Sequence, residues 1–360
     1  MLARQLPVLL LIGFAVAVQL ACSAGGTTYY LTQLTMSAYY TLVVLGLCML
    51  MGYAGQASLG HAGFFAIGGY LAAALSSRNL MGLKAHPLVE LLDRAGLLVH
   101  GQDLFGAQLL VVQPWAACLA AVLAAALVAA AIGGPVLKLK GHYLAMATLG
   151  FGIIVYRLVL ASSWLGEADG ISDVPPFTLL PAVAGLGAIR VEGGSAARVA
   201  NYYVAWGVLI LGLVLLRNLV DSRMGRALRA LHTSEEAAAA MGVNINRCKL
   251  AVFVLSAVYA AIAGVLLTHY NGGIGPSEAG AMKSVRYVSL VAVGGMANLW
   301  GALVMGVTLS FLSLRGVFGT YDAAVFGAIL ISIMLFAPAG LFHRDLRDRL
   351  LALLPGRRRG

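Results

Sequence analysis

Between Arg4 and Arg78 the chain carries no Asp, Glu, Lys or Arg. Similar charge-free runs lie between Asp103 and Lys138, Lys249 and Glu278, Arg286 and Arg315, and Asp322 and Arg344. A bilayer-crossing helix needs roughly 20 mostly apolar residues, so each run has room for one to three crossings. Only 11% of the 360 residues are charged, against about 25% in a soluble domain. That is too little charge to coat a water-facing surface. The chain is read as an all-α polytopic membrane protein.

Apolar segments bounded by Gly, Pro and charge predict about ten membrane helices, over 6–22, 29–51, 61–77, 109–133, 142–163, 202–220, 248–270, 284–296, 299–314 and 322–337. The third and eighth are short, which points to partial or broken helices. Such helices persist only where protein or a water-filled cavity satisfies their freed backbone groups. Residues 1–343 are read as the transmembrane domain and 344–360 as a basic cytoplasmic tail. Leu6 to Ala21 reads as a retained first helix rather than a cleaved signal, because Gln19 interrupts its apolar run.

The formal net charge of +10 does not mark a nucleic-acid surface, because the basic residues collect in short loops and at the C-terminus. Lys138, Lys140, the stretch Arg217–Lys249 and the tail with Arg344, Arg347, Arg349 and Arg357 to Arg359 all fall on one side if the helices alternate. The loop with Glu167, Asp169, Asp173 and Glu192 falls on the other. Positive-inside topology then places both termini in the cytoplasm. The 78–108 segment becomes an external loop, with a short amphipathic helix expected over Leu88–Leu98. Cys22, Cys48, Cys118 and Cys248 lack any CxxC spacing and read as apolar packers.

Two segments are candidates for a translocation pathway. In 52–70, six glycines surround Gln56, Ser58 and His61. Glycines let helices approach closely or break, and freed N–H and C=O groups can face a polar solute. The competing reading is small-residue helix packing, with Gln56 and His61 bonded across helices. In 137–152, Lys138, Lys140 and His142 read as interfacial anchors, while Tyr143 and Thr148 are candidates to face the pathway together with Gly60. No helix centre carries a clear Asp or Glu, which leaves His61 and His269 as the relay candidates.

The cytoplasmic loop 221–246 is too polar to cross a membrane. Ser234 fits an N-cap, Glu235 and Glu236 suit the first turn of a helix, the alanine run extends it and Gly242 stops it. A short helix there suits a permease driven by a soluble motor. The chain lacks a Gly-x-x-x-x-Gly-Lys-Ser/Thr phosphate loop, and its His and Cys residues are too scattered for a metal site. Energy, if transport uses any, must therefore come from a partner. A stand-alone channel or facilitator remains the competing class.

The stretches Gly55–Phe65 (GQASLGHAGFF), Leu139–Gly150 (LKGHYLAMATLG), Asp169–Ser172 (DGIS), Ser222–Ala227 (SRMGRA), Glu235–Gly242 (EEAAAAMG), Gly294–Gly301 and Pro338–Leu341 resemble, in order, the branched-chain amino acid ABC permease family in its LivM-type branch. The resemblance implies an ABC importer permease in the bacterial inner membrane rather than an enzyme. It implies a second related permease, two cytoplasmic ATP-binding subunits that use ATP and Mg, and an external solute-binding protein. It implies that this chain itself binds no cofactor and meets those proteins and membrane lipid, with no nucleic acid. It implies aliphatic amino acids as cargo, with urea or short amides as the alternative. Glu236–Gly242 matches the start of the coupling pattern of such permeases, so Arg226, Glu235, Glu236 and Gly242 are the expected coupling residues. The Leu-Pro that closes that pattern in some members is missing here.

Overall fold

The computed structural model describes residues 2–83, 86–94, 96–102, 108–139, 141–180 and 189–336. Lys84, Asp103, Lys140, Pro338–Leu341 and the basic tail 344–360 lie outside the described residues. The helices are α1 (Leu2–Ala24), α2 (Tyr29–Cys48), α3 (His61–Ser77), α4 (Pro87–Arg94), α5 (Pro114–Val136), α6 (His142–Ala161) and α7 (Arg198–Asp221). They continue with α8 (Arg223–Thr233), α9 (Glu235–Ala240), α10 (Ile245–Asn271), α11 (Ala281–Gly294), α12 (Leu299–Leu314) and α13 (Asp322–Phe336). Two antiparallel pairs, β1 (Leu98–Gln102) with β2 (Gln108–Val112) and β3 (Phe177–Leu180) with β4 (Ile189–Val191), sit in the connections.

Each predicted apolar segment recurs as a helix, but only six are long and apolar enough to cross a membrane among the described residues: α1, α2 with its extension to Tyr53, α5, α6, α7 and α10. The other four, α3, α11, α12 and α13, hold 17, 14, 16 and 15 residues. α3 and α11 are bounded by backbone that leaves the helix early. Between α11 and α12, for example, Gly295 and Ala297 adopt φ of 97° and 64°.

The external loop also differs from expectation. The helix expected over Leu88–Leu98 ends at Arg94; Gly96 turns at φ 68° and Leu98 already pairs with Val112. The fifth helix begins at Pro114 rather than near 109, since proline suits a first helical position and the β-branched Val111 and Val112 suit a strand.

Burial separates core from periphery. In the apolar window of α2, 83% of residues are buried, against 11% in α1. α2 is therefore the central post, packed by α7, α10, α11 and α12. α5 buries Ala117, Ala121, Ala125, Ala129 and Gly133 toward α3 and α10. Its Leu119, Leu123 and Leu127 point outward. The four-residue spacing of small side chains is what brings α5 close.

α3 and α10 approach closely, with Gly68 on the backbone of Ala261 and Gly264 on the carbonyl of Phe65. A side chain at either glycine would strike backbone, which cannot move aside.

The bundle has two chemically distinct ends. At one, the Arg78 guanidinium donates to the carbonyls of Ser163 and Trp164 (3.2 and 3.0 Å). There Ile171 bridges Ile274, and His269 Nδ1 donates to the Pro175 carbonyl (2.8 Å). At the other end lie α8, α9, Lys138 and Arg247. α1 runs antiparallel to α7, with Tyr202 Oη donating to the Ala15 carbonyl and Tyr203 Oη to Gln19 Oε1. The first residues of α1 thus lie at the end that carries α8.

Replacing Gly264 with Leu is predicted to cost about 1–3 kcal/mol by overpacking and to lower the melting temperature in detergent by several degrees. Leu at Gly207, which faces open space on α7, is predicted to leave it unchanged.

Candidate functional site

After α2 the chain passes through one π-turn, Met49–Tyr53, and then leaves helical geometry until His61. π-turns recur at functional sites. Gly55, at φ 67°, lets the chain reverse with its Cα against the His232 ring of α8. α3 then starts inside the bundle rather than at its edge. His61 meets Ser256, eleven residues beyond Ile245, which puts it roughly 16 Å along α10.

A helix that starts there exposes N–H groups where no water is available. Its cap position, Gly60, has no side chain to offer. Neighbouring helices supply the acceptors instead. Leu59 N donates to Thr148 Oγ1 of α6 (3.0 Å), and Ala62 N donates to Ser284 Oγ of α11 (3.1 Å). The imidazole of His61 lies between Ser58 Oγ (3.1 Å from Nδ1) and Ser256 Oγ (2.7 Å from Nε2). A neutral imidazole donates at one nitrogen and accepts at the other, so both hydroxyls are served. Gly60 seats directly on the Thr148 carbonyl, which leaves no room for a Cβ. Four helices, α3, α6, α10 and α11, thus meet at one polar knot.

The sequence-derived candidates divide accordingly. Ser58, Gly60, His61 and Thr148 come together in this knot, buried. Gln56 is beside it and 2% exposed, and neither atom of its side-chain amide has a partner among the described residues. Tyr143 stands apart, 73% exposed on the outside of α6.

The loop 221–246 holds two helices where one was expected. Ser222 caps α8 by accepting from Met224 N and Gly225 N, and Ser234 caps α9 by accepting from Ala237 N. Glu235 pairs with Lys249 of α10 at 2.6 Å, and the lysine is nearly buried, so α9 is clamped to a long bundle helix. Glu236 faces outward, and Gly242 turns at φ 80° just past α9. Arg226 is exposed on α8. Met241, which the sequence reading passed over, is 85% exposed at the tip.

The sequence reading also missed a charged cluster. Glu278 pairs with Lys283 (2.7 Å) and Arg286 with Asp322 (3.2 Å), while Tyr40 Oη donates to Glu278 Oε1 (3.2 Å). Neither carboxylate is at a helix centre, since Glu278 sits in a 3-10 turn and Asp322 opens α13, yet both lie beside α11, whose Ser284 reaches the polar knot. Arg286, inside the predicted span 284–296, was the available signal. The carboxylates escaped notice because each sits just outside an apolar run.

Fold and site together define a polytopic membrane permease. The sequence model of the family "Branched-chain amino acid transport system / permease component" matches residues 29–337. The permease LivM of Salmonella typhimurium, named as part of a high-affinity branched-chain amino acid transport system, is 30% identical over 85% of this chain and 68% of its own length. LivH of Escherichia coli, a permease of a system so named, is 26% identical over 88% of this chain and 96% of its own. BraD of Pseudomonas aeruginosa is 28% identical over the same shares. No solved structure matches at a significant level. The chain belongs to the branched-chain amino acid ABC permease family. It is a transport subunit, not an enzyme.

Thr148→Val and Ser284→Ala each leave one amide at the start of α3 without its acceptor, at a cost of about 1–3 kcal/mol. Both variants are predicted to melt earlier in detergent, and Thr148→Ser is predicted to melt with the parent.

Proposed function

We propose that the chain is one of two related permease subunits of an ATP-driven importer of branched-chain aliphatic amino acids. In this reading residues 1–343 form the membrane domain with about ten helices, α3, α11, α12 and α13 completing the six long ones. The termini, the tail 344–360 and the loop 221–246 are cytoplasmic, and the 78–108 and 163–198 connections face outward. The concentration of Lys138, Arg223, Arg226, Arg229 and Arg247 at the end that carries α8 supports that orientation. Similarity to both LivM and LivH supports a pair of related permeases. Two cytoplasmic ATP-binding subunits, holding ATP and Mg, and an external binding protein complete the assembly.

The observation that carries the mechanism is the continuity from loop to helix break. α9 is clamped to α10 by Glu235–Lys249, and α8 abuts the Gly55 turn through His232. A push on Arg226, Glu236, Met241 and Gly242 from a motor subunit would travel to both ends of the break at Gly55–Gly60. Small rigid shifts of packed helices would then open and close access. Gln56, Ser58, Gly60, His61 and Thr148 stand where those shifts act; Tyr143, on the outside of α6, can meet the pathway only at a surface shared with the partner permease. The unpaired amide of Gln56 supports a solute-facing role, because a buried amide without a partner costs stability unless something transient satisfies it.

A pull-down in mild detergent with mass spectrometry is predicted to recover a second permease and two soluble ATPases. Met241→Asp is predicted to release the ATPases while retaining the second permease. Recovery of the chain alone, under conditions in which a known ABC importer stays intact, would favour a stand-alone channel.

A further inference from the structure

α11 begins inside the bundle, at the level where α3 starts. Ser284, in its first turn, reaches Ala62 at the level of the polar knot. Lys283 and Arg286 flank Ser284 on the same turn, Glu278 precedes it in a 3-10 turn, and Asp322 opens α13 alongside. Four charges at such depth are too costly to face acyl chains. Yet their side chains stay partly open, at 23%, 18%, 19% and 31% exposure respectively. This face of the chain must therefore meet a polar surface.

The pairing within the cluster is incomplete in a particular way. Lys283 also lies 4.8 Å from the centre of the Tyr40 ring, and Arg286 lies 4.5 Å from that of Phe326. Arg286 Nη2, Glu278 Oε2 and Asp322 Oδ1 have no hydrogen-bond partner among the described residues. Neither do Tyr287 Oη and Ser310 Oγ, although both residues are 1% exposed. Tyr40, Lys283, Arg286, Tyr287 and Ser310 line one narrow cleft. A structural ion-pair network accounts for the two salt bridges. It does not account for two buried hydroxyls that bond nothing while lining the same cleft as two cations.

We infer that this cleft is the station that holds the headgroup of an α-amino acid zwitterion during passage, an assignment that rests on the importer reading above. The carboxylate of the solute takes Arg286 Nη2 and the hydroxyls of Tyr287 and Ser310. Its ammonium takes the free oxygens of Glu278 and Asp322. The donors line the cleft and the two carboxylates adjoin it through their pairing with Lys283 and Arg286, an arrangement that suits a ligand carrying an ammonium and a carboxylate on one carbon. As it stands the cleft has no room for a water molecule, so the headgroup enters when the helices part. The aliphatic side chain makes no polar demand, which permits several branched cargoes.

The test is uptake by the complete importer in proteoliposomes with radiolabelled leucine, and with labelled urea and acetamide in parallel. The variant combines Tyr287→Phe with Ser310→Ala, which removes both unpaired hydroxyls and breaks no ion pair. Leucine uptake is expected to fall about tenfold or more with the melting temperature unchanged. Leucine uptake equal to that of the parent would overturn the assignment and leave the importer reading standing. A parent complex that carries urea or acetamide but no leucine would overturn the cargo reading, and the zwitterion station with it.

Discussion

A helix that starts in the middle of a bilayer needs hydrogen-bond acceptors that lipid cannot give, and α3 obtains them from other helices. Ser284 accepts the Ala62 amide of its first turn, Thr148 accepts the Leu59 amide just before its cap, and His61 ties the same turn to α10 through Ser256. The arrangement of α6, α10 and α11 around α3 follows from that need. If any of the three moved alone, a backbone or imidazole group would lose its partner in a medium where the loss costs most. The knot therefore makes four helices respond as a unit, which is what gating by rigid shifts requires.

The glycines serve the same end. Gly60 seats on α6, Gly68 and Gly264 interlock α3 with α10, and Gly55 permits the reversal beside His232. Close packing makes the contact stiff, so a displacement at α8 passes onward instead of dissipating. The clamp of Glu235 on Lys249 adds a second route from the loop into α10. Two routes from one loop converge on the region where α3 begins.

Much of this architecture is legible in the chain. Charge-free runs locate the membrane segments, and the bounds of α3 and α12 follow directly from flanking Gly, Ser and Arg residues. Ser234 and Gly242 delimit α9 as capping chemistry demands. What escapes sequence reasoning is depth. Nothing local distinguishes a short helix that spans at a tilt from one that starts half-way, because Thr148 and Ser284 lie far along the chain from the amides they satisfy. The same blindness hides the charged cluster: Glu278 falls between apolar runs and Asp322 only opens one, and neither shows its depth until α11 is seen to begin inside the bundle. The strand of residues 108–112 is lost for a different reason, since a short apolar run before Pro114 carries no periodicity of its own.

In the proposed mechanism the pathway opens only when force arrives through the loop 221–246. ATP-dependent leucine accumulation in proteoliposomes, measured with the complete assembly and a non-hydrolysable ATP analogue as control, tests it most directly. Accumulation against a gradient with ATP, and none with the analogue, is the predicted result. Leucine flux that proceeds equally with the analogue, or without nucleotide, would contradict the account and make the chain a facilitator.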